Sequence, residues 1–206
     1  MRSKNNLGGN METDIYRAPE ADLGEPEAGA AREFYVVSSP KFLILMIATF
    51  GLYELYWFYR NWSLYRMRHG VKILPVMRAI FSLIFVYSLF GKVASSIRHS
   101  GRDIKWYPGW MAASYILFSI IGLLADGLAG AVTHYTLLDL VSLALFPLFV
   151  WILYCAQQEI NVACDDPQGE SNAELTPANY LWILIGALIW AGLGFEYFTG
   201  FFGSPT

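Results

Sequence analysis

After Lys105 the chain has no lysine or arginine, although almost half of its 206 residues are still to come. Charge is scarce throughout: Asp, Glu, Lys and Arg together make up 15%. With 55% hydrophobic residues and a mean hydropathy of +0.39, too little polar surface exists to cover a soluble core, so part of the surroundings must be lipid. Cysteine is limited to Cys155 and Cys164, nine residues apart, which excludes a disulfide framework. His69, His99 and His134 stand in separate segments, so the usual nitrogen ligands of a zinc site are missing too. The chain also lacks a glycine-rich phosphate loop, a Ser-His-Asp set and paired metal ligands; neither enzymatic activity nor a cofactor or metal is expected.

What charge there is falls into blocks. Residues 1–41 carry five basic and seven acidic groups, 42–106 nine and two, and 107–206 none and eight. In a membrane protein a basic middle reads as cytoplasmic retention and contact with anionic lipid headgroups. No nucleic-acid-binding module accompanies it, so nucleic acid is not an expected partner.

Residues 1–33 are polar, acidic and rich in Gly, Ala and Pro, the composition of a disordered cytoplasmic tail. The tail holds no apolar core of a signal peptide, so the run from Phe42 is expected to act as an uncleaved anchor, with Met11 as an alternative start. Residues 34–206 read as an all-α integral membrane bundle of five hydrophobic helices, at about 42–59, 77–97, 108–125, 137–156 and 178–198. Ser38 or Ser39 is placed to cap the first, with Pro40 opening it. Its 18 residues reach roughly 27 Å, close to a hydrocarbon core of about 30 Å. The second is the weakest span, because Arg78 and Lys92 bracket a short apolar stretch and both must snorkel.

Trp106, Tyr107 and Trp110 supply an aromatic belt before the third helix. Pro147 is expected to kink the fourth. From Gln157 to Thr176 the chain turns polar and acidic. Its DDPQG piece lacks the alternating oxygens of a calcium loop and reads as turns, ahead of a helix capped by Thr176 and opened by Pro177. Ala187 and Ala191 give the fifth helix a small-residue face where another helix can approach. With five crossings and the N-terminus inside, the basic Arg60–Arg78 connection falls outside. If the first two apolar helices instead form a hairpin that dips in and returns, only three true spans remain and every basic residue stays inside.

The first apolar run ends in TFGLYELYWFYRNW, Thr49 to Trp62. Tyr53, Tyr56, Trp57 and Arg60 fall on one helical face by their i, i+3, i+4, i+7 spacing, and with Glu54 and Trp62 they form the candidate interfacial or partner-binding set. The plainer alternative is an anchoring belt with tight hairpin packing, where Gly51 permits a close contact. Glu54 is an intramembrane carboxylate, by default a functional hypothesis, although its nearness to Arg60 also allows a headgroup-level bond. The block from Phe34 to Ala94 resembles an uncharacterised bacterial membrane domain with a Thr-x-Gly-[Ile/Leu]-Tyr-x-x-Tyr-Trp-[Phe/Leu]-Tyr hallmark. Here that hallmark is Thr49, Gly51, Leu52, Tyr53, Tyr56, Trp57, Phe58 and Tyr59. The resemblance implies a membrane helical hairpin in a bacterial cytoplasmic membrane and carries no activity with it. The leading expectation is a non-enzymatic, multi-pass membrane component that binds lipid, a partner membrane protein or a second copy of itself. A transporter or channel component with Glu54, Asp139 and Glu196 along its path is the alternative.

Overall fold

The computed structural model describes residues 32–102, 106–129 and 137–202, so the expected tail, Met11 included, lies outside the described residues apart from Arg32 and Glu33. The described chain is helical, with α1 Ser39–Ala48, α2 Tyr53–His69, α3 Pro75–Ile80, α4 Ser82–His99, α5 Pro108–Ala129, α6 Leu137–Ala163 and α7 Pro177–Phe202. A single 3₁₀ turn occupies Glu170–Asn172. Among the described residues three helices are long and apolar enough to cross a membrane, over Pro108–Leu128, Leu143–Ala163 and Pro177–Phe195.

The run expected as one helix over 42–59 is two. Phe50 and Gly51 adopt left-handed backbone, with φ of 51° and 85°, and reverse the chain between α1 and α2. Thr49 staples the break: its hydroxyl donates to Leu45 O at 2.8 Å and accepts from Tyr53 N–H at 3.0 Å. Gly51 suits the conformation, whereas for Phe50 it costs about 1–2 kcal/mol. Packing offsets that cost, since the Phe50 ring stacks on Phe146 of α6 at 4.8 Å and meets Trp190 of α7 edge-on at 5.0 Å.

After the turn α2 runs back along the segment that precedes it. Phe42 packs against Tyr53 and Trp57, Tyr35 against Tyr56, and Phe34 against Tyr65. The expected basic connection Arg60–Arg78 is largely helical, because α2 continues to His69 and stops at Gly70, whose φ of 62° forms a left-handed cap. The expected second helix is also broken, at Phe81, into α3 and α4. α3 descends beside α2, with the Arg78 guanidinium 4.2 Å from the Trp62 ring centroid, and α4 climbs again until Lys92 donates to the Tyr65 hydroxyl. Two hairpins therefore leave and return at one end of the bundle.

Their depth is set by α6 and α7. Phe146, against the first turn, is 17 residues short of the α6 terminus, or about 25 Å. Gly186, against Ala48, is nine residues into α7, or about 14 Å. Only α5, α6 and α7 extend far beyond the turns. All ten described Lys and Arg lie between the middle of α2 and the opposite end, the one where Arg32–Lys41, the termini of α2, α4 and α6 and the start of α7 meet.

Of the expected belt, Tyr107 and Trp110 are exposed, but Trp106 is buried on Phe90 at 5.0 Å. Pro147 lies within α6, which stays helical through it. Neither expected cap forms on α1: Ser38 makes no side-chain cap bond, and the Ser39 hydroxyl accepts from Gln158 instead.

Candidate functional site

Two polar groupings interrupt the apolar interior. The first holds an extended segment. Arg32–Ser38 passes between helices with Phe34, Val36 and Val37 buried, so its backbone polar groups need protein partners. Side-chain amides supply them. Asn161 closes a pair on Val37, accepting from its N–H at 3.2 Å and donating to its C=O at 2.9 Å. Asn61 accepts from Tyr35 N–H, Gln157 donates to Tyr35 O, and Asn172 donates to Val36 O. Gln157 also accepts from the Trp57 indole and donates to Asn161, which links the motif aromatic to the clasp.

The 165–176 loop closes this clasp from outside. Gly169, at φ 67°, lies so near Val37 that a Cβ there would stand 2.5 Å from its carbonyl carbon. Lys41 is almost wholly buried and donates to Asn172 Oδ1 at 2.7 Å and Glu174 O at 2.6 Å. Arg32 pairs with Asp166, and Arg102 reaches Val162 O and Asp165. The hydroxyl of Ser171, with its backbone N–H and that of Glu170, holds Asp166 below the usual carboxylate range. Cys155 and Cys164 are both free, and burial raises the Cys164 thiol, which faces Phe34 O at 3.6 Å.

The second grouping sits beside the first hairpin turn. Glu54, one residue into α2, accepts from the Tyr115 hydroxyl of α5, and Ser82 Oγ of α4 lies 3.0 Å from that same hydroxyl. Glu54 also lines a groove of about 570 Å³ walled by Phe50, Leu55, Phe118, Leu123, Phe146 and Phe149, with Ser119 and Asp126 at its edge.

The six residues singled out in the sequence separate into inner and outer sets. Tyr53, Trp57 and Trp62 are fully buried and pack within the molecule; Trp57 meets Phe42, Phe58 and Gln157, and Trp62 lies under Arg78. Tyr56 is half-buried against Tyr35, and the Arg60 guanidinium stands over that same Tyr35 ring at 5.5 Å. Glu54 alone of the six opens onto the groove. Asp139 and Glu196, named with it as path-lining acids, lie outside the described side chains. Among the described residues no three His, Cys, Asp or Glu side chains gather as a metal site would require.

Sequence reasoning missed Tyr115, Ser82 and the amide clasp. A signal for the clasp existed: Gln157 and Asn161 stand i, i+4 apart and repeat the spacing of Trp57 and Asn61. The expected fourth helix ends at about residue 156, where the sequence turns polar, yet α6 continues to Ala163 because these amides face inward onto the buried segment.

The class these features define is an all-helical chain with three helices able to span a membrane and a polar clasp at one end. Comparison of the chain with family models, with curated proteins and with solved structures finds no match.

Proposed function

We propose that this is a multi-pass protein of a bacterial cytoplasmic membrane, crossing three times, with α1–α2 and α3–α4 as hairpins that enter and leave from the cytoplasmic side. Its role in this reading is non-enzymatic: the basic cytoplasmic face binds anionic lipid headgroups, a partner membrane protein or a second copy. One observation carries the proposal. All ten described Lys and Arg lie toward one end of the bundle, while α5, α6 and α7 continue past the hairpin turns without a basic residue. Such one-sidedness obeys the positive-inside rule without exception among the described residues. The resemblance of Thr49–Tyr59 to a bacterial membrane hallmark supports the same assignment.

Impermeant maleimide labelling of single cysteines, in a background with Cys155 and Cys164 replaced by serine, tests it. Gly70→Cys and Ser100→Cys are expected to label only from the cytoplasmic side, and Leu128→Cys and Thr199→Cys only from the other. Labelling of Gly70→Cys and Leu128→Cys from the same side would overturn the three-span reading.

The Glu54–Tyr115–Ser82 grouping favours a second reading, a transporter or channel component using an intramembrane acid. Glu54→Gln separates the two: a lipid- or partner-binding component keeps its fold and partners, whereas proton- or ion-coupled flux is lost.

A further inference from the structure

We infer that the groove between α2 and α3 is a seat for one anionic phospholipid, with its phosphate between Arg66 and Lys72 and an acyl chain running down α2 towards the hairpin turn. This rests on the membrane reading above and adds a defined site to it. Two adjoining hollows form the seat. One, of about 580 Å³, is rimmed by Arg66, Gly70 and Lys72; the other, of about 420 Å³, lies between Tyr59, Ser63, Pro75 and Met77, and Arg66, Met67 and Leu74 line both. A polar head end thus opens directly into an apolar channel.

The exposed side chains continue the channel. Tyr59 on α2 and Val76, Met77 and Ile80 on α3 are all more than a third exposed, and one turn before Tyr59 the exposed Leu55 borders the Glu54 groove. From Arg66 to Leu55 is 11 residues, or about 16 Å of helix, close to half of a hydrocarbon core of about 30 Å. An acyl chain whose phosphate sits at Arg66 therefore ends near the hairpin turn, at the level of the bilayer midplane.

Charge selects the head. From Leu55 to Arg102 the chain holds eight Lys and Arg and no Asp or Glu. Arg66 and Lys72 have no carboxylate partner among the described residues, whereas Arg32, His69 and Arg102 each have one. Arg66 also complements the negative end of α2, as any basic residue in a last turn does, but Lys72 stands beyond Gly70 and has no such role. A free phosphate ion would use the head end and leave the apolar channel empty. The combination fits a phosphate carrying a chain.

The test uses the full chain in mild detergent, with lipid retention read by native mass spectrometry across a titration of phosphatidylglycerol or phosphatidylcholine. One phosphatidylglycerol per chain is expected to be retained at about tenfold lower concentration than phosphatidylcholine. Each basic residue near a membrane surface contributes about fivefold, so Arg66→Gln with Lys72→Gln should weaken retention about twentyfold. Lys92→Gln with Arg98→Gln, which removes the same charge elsewhere, should change it less than threefold. Met77→Trp, which fills the channel and keeps both charges, should weaken retention about tenfold. Equal loss in both charge variants would overturn the seat in favour of diffuse attraction. Competition by millimolar inorganic phosphate, with Met77→Trp unaffected, would overturn it in favour of a simple anion site. A chain that labels as three-span yet retains both lipids equally loses the seat alone, while failure of the labelling pattern removes the membrane reading beneath it.

Discussion

The α1–α2 hairpin and α7 are both rich in aromatic side chains, yet they occupy opposite environments. Along the hairpin Phe42, Leu45, Met46, Tyr53, Trp57, Phe58 and Trp62 are fully buried, whereas 11% of the α7 span is buried. Length separates α1 from α7, which is equally apolar, and polarity separates α2, which carries Arg60, Asn61, Arg66, Arg68 and His69. A ten-residue α1 reaches about 15 Å and cannot cross a bilayer, so its aromatic continuation folds back and becomes protein core. α7 reaches about 39 Å, keeps its own backbone bonds throughout and meets protein where Trp182 and Ile183 pack on the core and where Gly186 and Trp190 touch α1.

The sharpest way to break this contrast is at Gly186, where α7 packs against the α1 backbone. A Cβ on Gly186 would lie 1.9 Å from the Ala48 carbonyl oxygen, a backbone atom that cannot rotate away. Gly186→Val is expected to cost about 3 kcal/mol or more and to free α7 from the hairpin, read as a lower thermal midpoint in detergent. Gly192→Val, at a position with open space, should leave that midpoint in place. A tolerant Gly186 would mean that α7 is held elsewhere.

Next in size is the clasp. Asn161→Ala removes the partners of both Val37 backbone groups and of Gln157, leaving buried polar groups unpaired at about 1–3 kcal/mol each. A total loss of about 2–4 kcal/mol is expected, with faster hydrogen exchange at residues 34–38. Asn161→Leu should be no better, because the backbone groups stay orphaned. The hairpin break comes third: Thr49→Val keeps the shape and loses two hydrogen bonds, an expected cost of about 1–2 kcal/mol in the same melt.

The smallest effect is that of pH on the outer loop. Asp166 has its pKa lowered by Ser171 and neighbouring N–H groups, so its contribution is present above the ordinary carboxylate value and is lost as pH falls through the lowered one. Protease cleavage within 165–176 should therefore rise as the solution is acidified below that ordinary value, in a buffer where the helices persist. In Asp166→Asn it should be raised already at neutral pH and respond less to acid. An unchanged acid response in that variant would assign the dependence to another group.

Part of this was readable from composition and spacing. The long apolar runs that became α5, α6 and α7 stand out because each has enough residues to span hydrocarbon, a property of local sequence. The one-sided charge and the proposed dipping hairpin were also visible as a counting problem in the basic residues. The break at Phe50 was not, since a non-glycine residue in left-handed backbone is tolerated there only because Phe146 and Trp190 hold its ring from distant helices. The motif face that suggested an interface turned mostly inward for the same reason: helical periodicity says which side chains share a side, and not what that side meets.

Local sequence by itself determined that this chain is helical, that the segments of α5, α6 and α7 are long and apolar enough to satisfy their own backbone bonds across a membrane, and that its lysines and arginines all precede residue 106, while it predicted five hydrophobic helices with three spans as the rival. Tertiary structure decided where the remaining apolar segments double back, at Phe50 and Phe81, and it alone made Trp57 and Trp62 core rather than belt and brought Glu54 to Tyr115 and Ser82. The physical reason is separation along the chain. Helix formation and hydropathy are summed over neighbours, whereas Asn161 on Val37, Gly186 on Ala48 and Tyr115 on Glu54 join residues 61 to 138 positions apart, whose pairing no local pattern encodes.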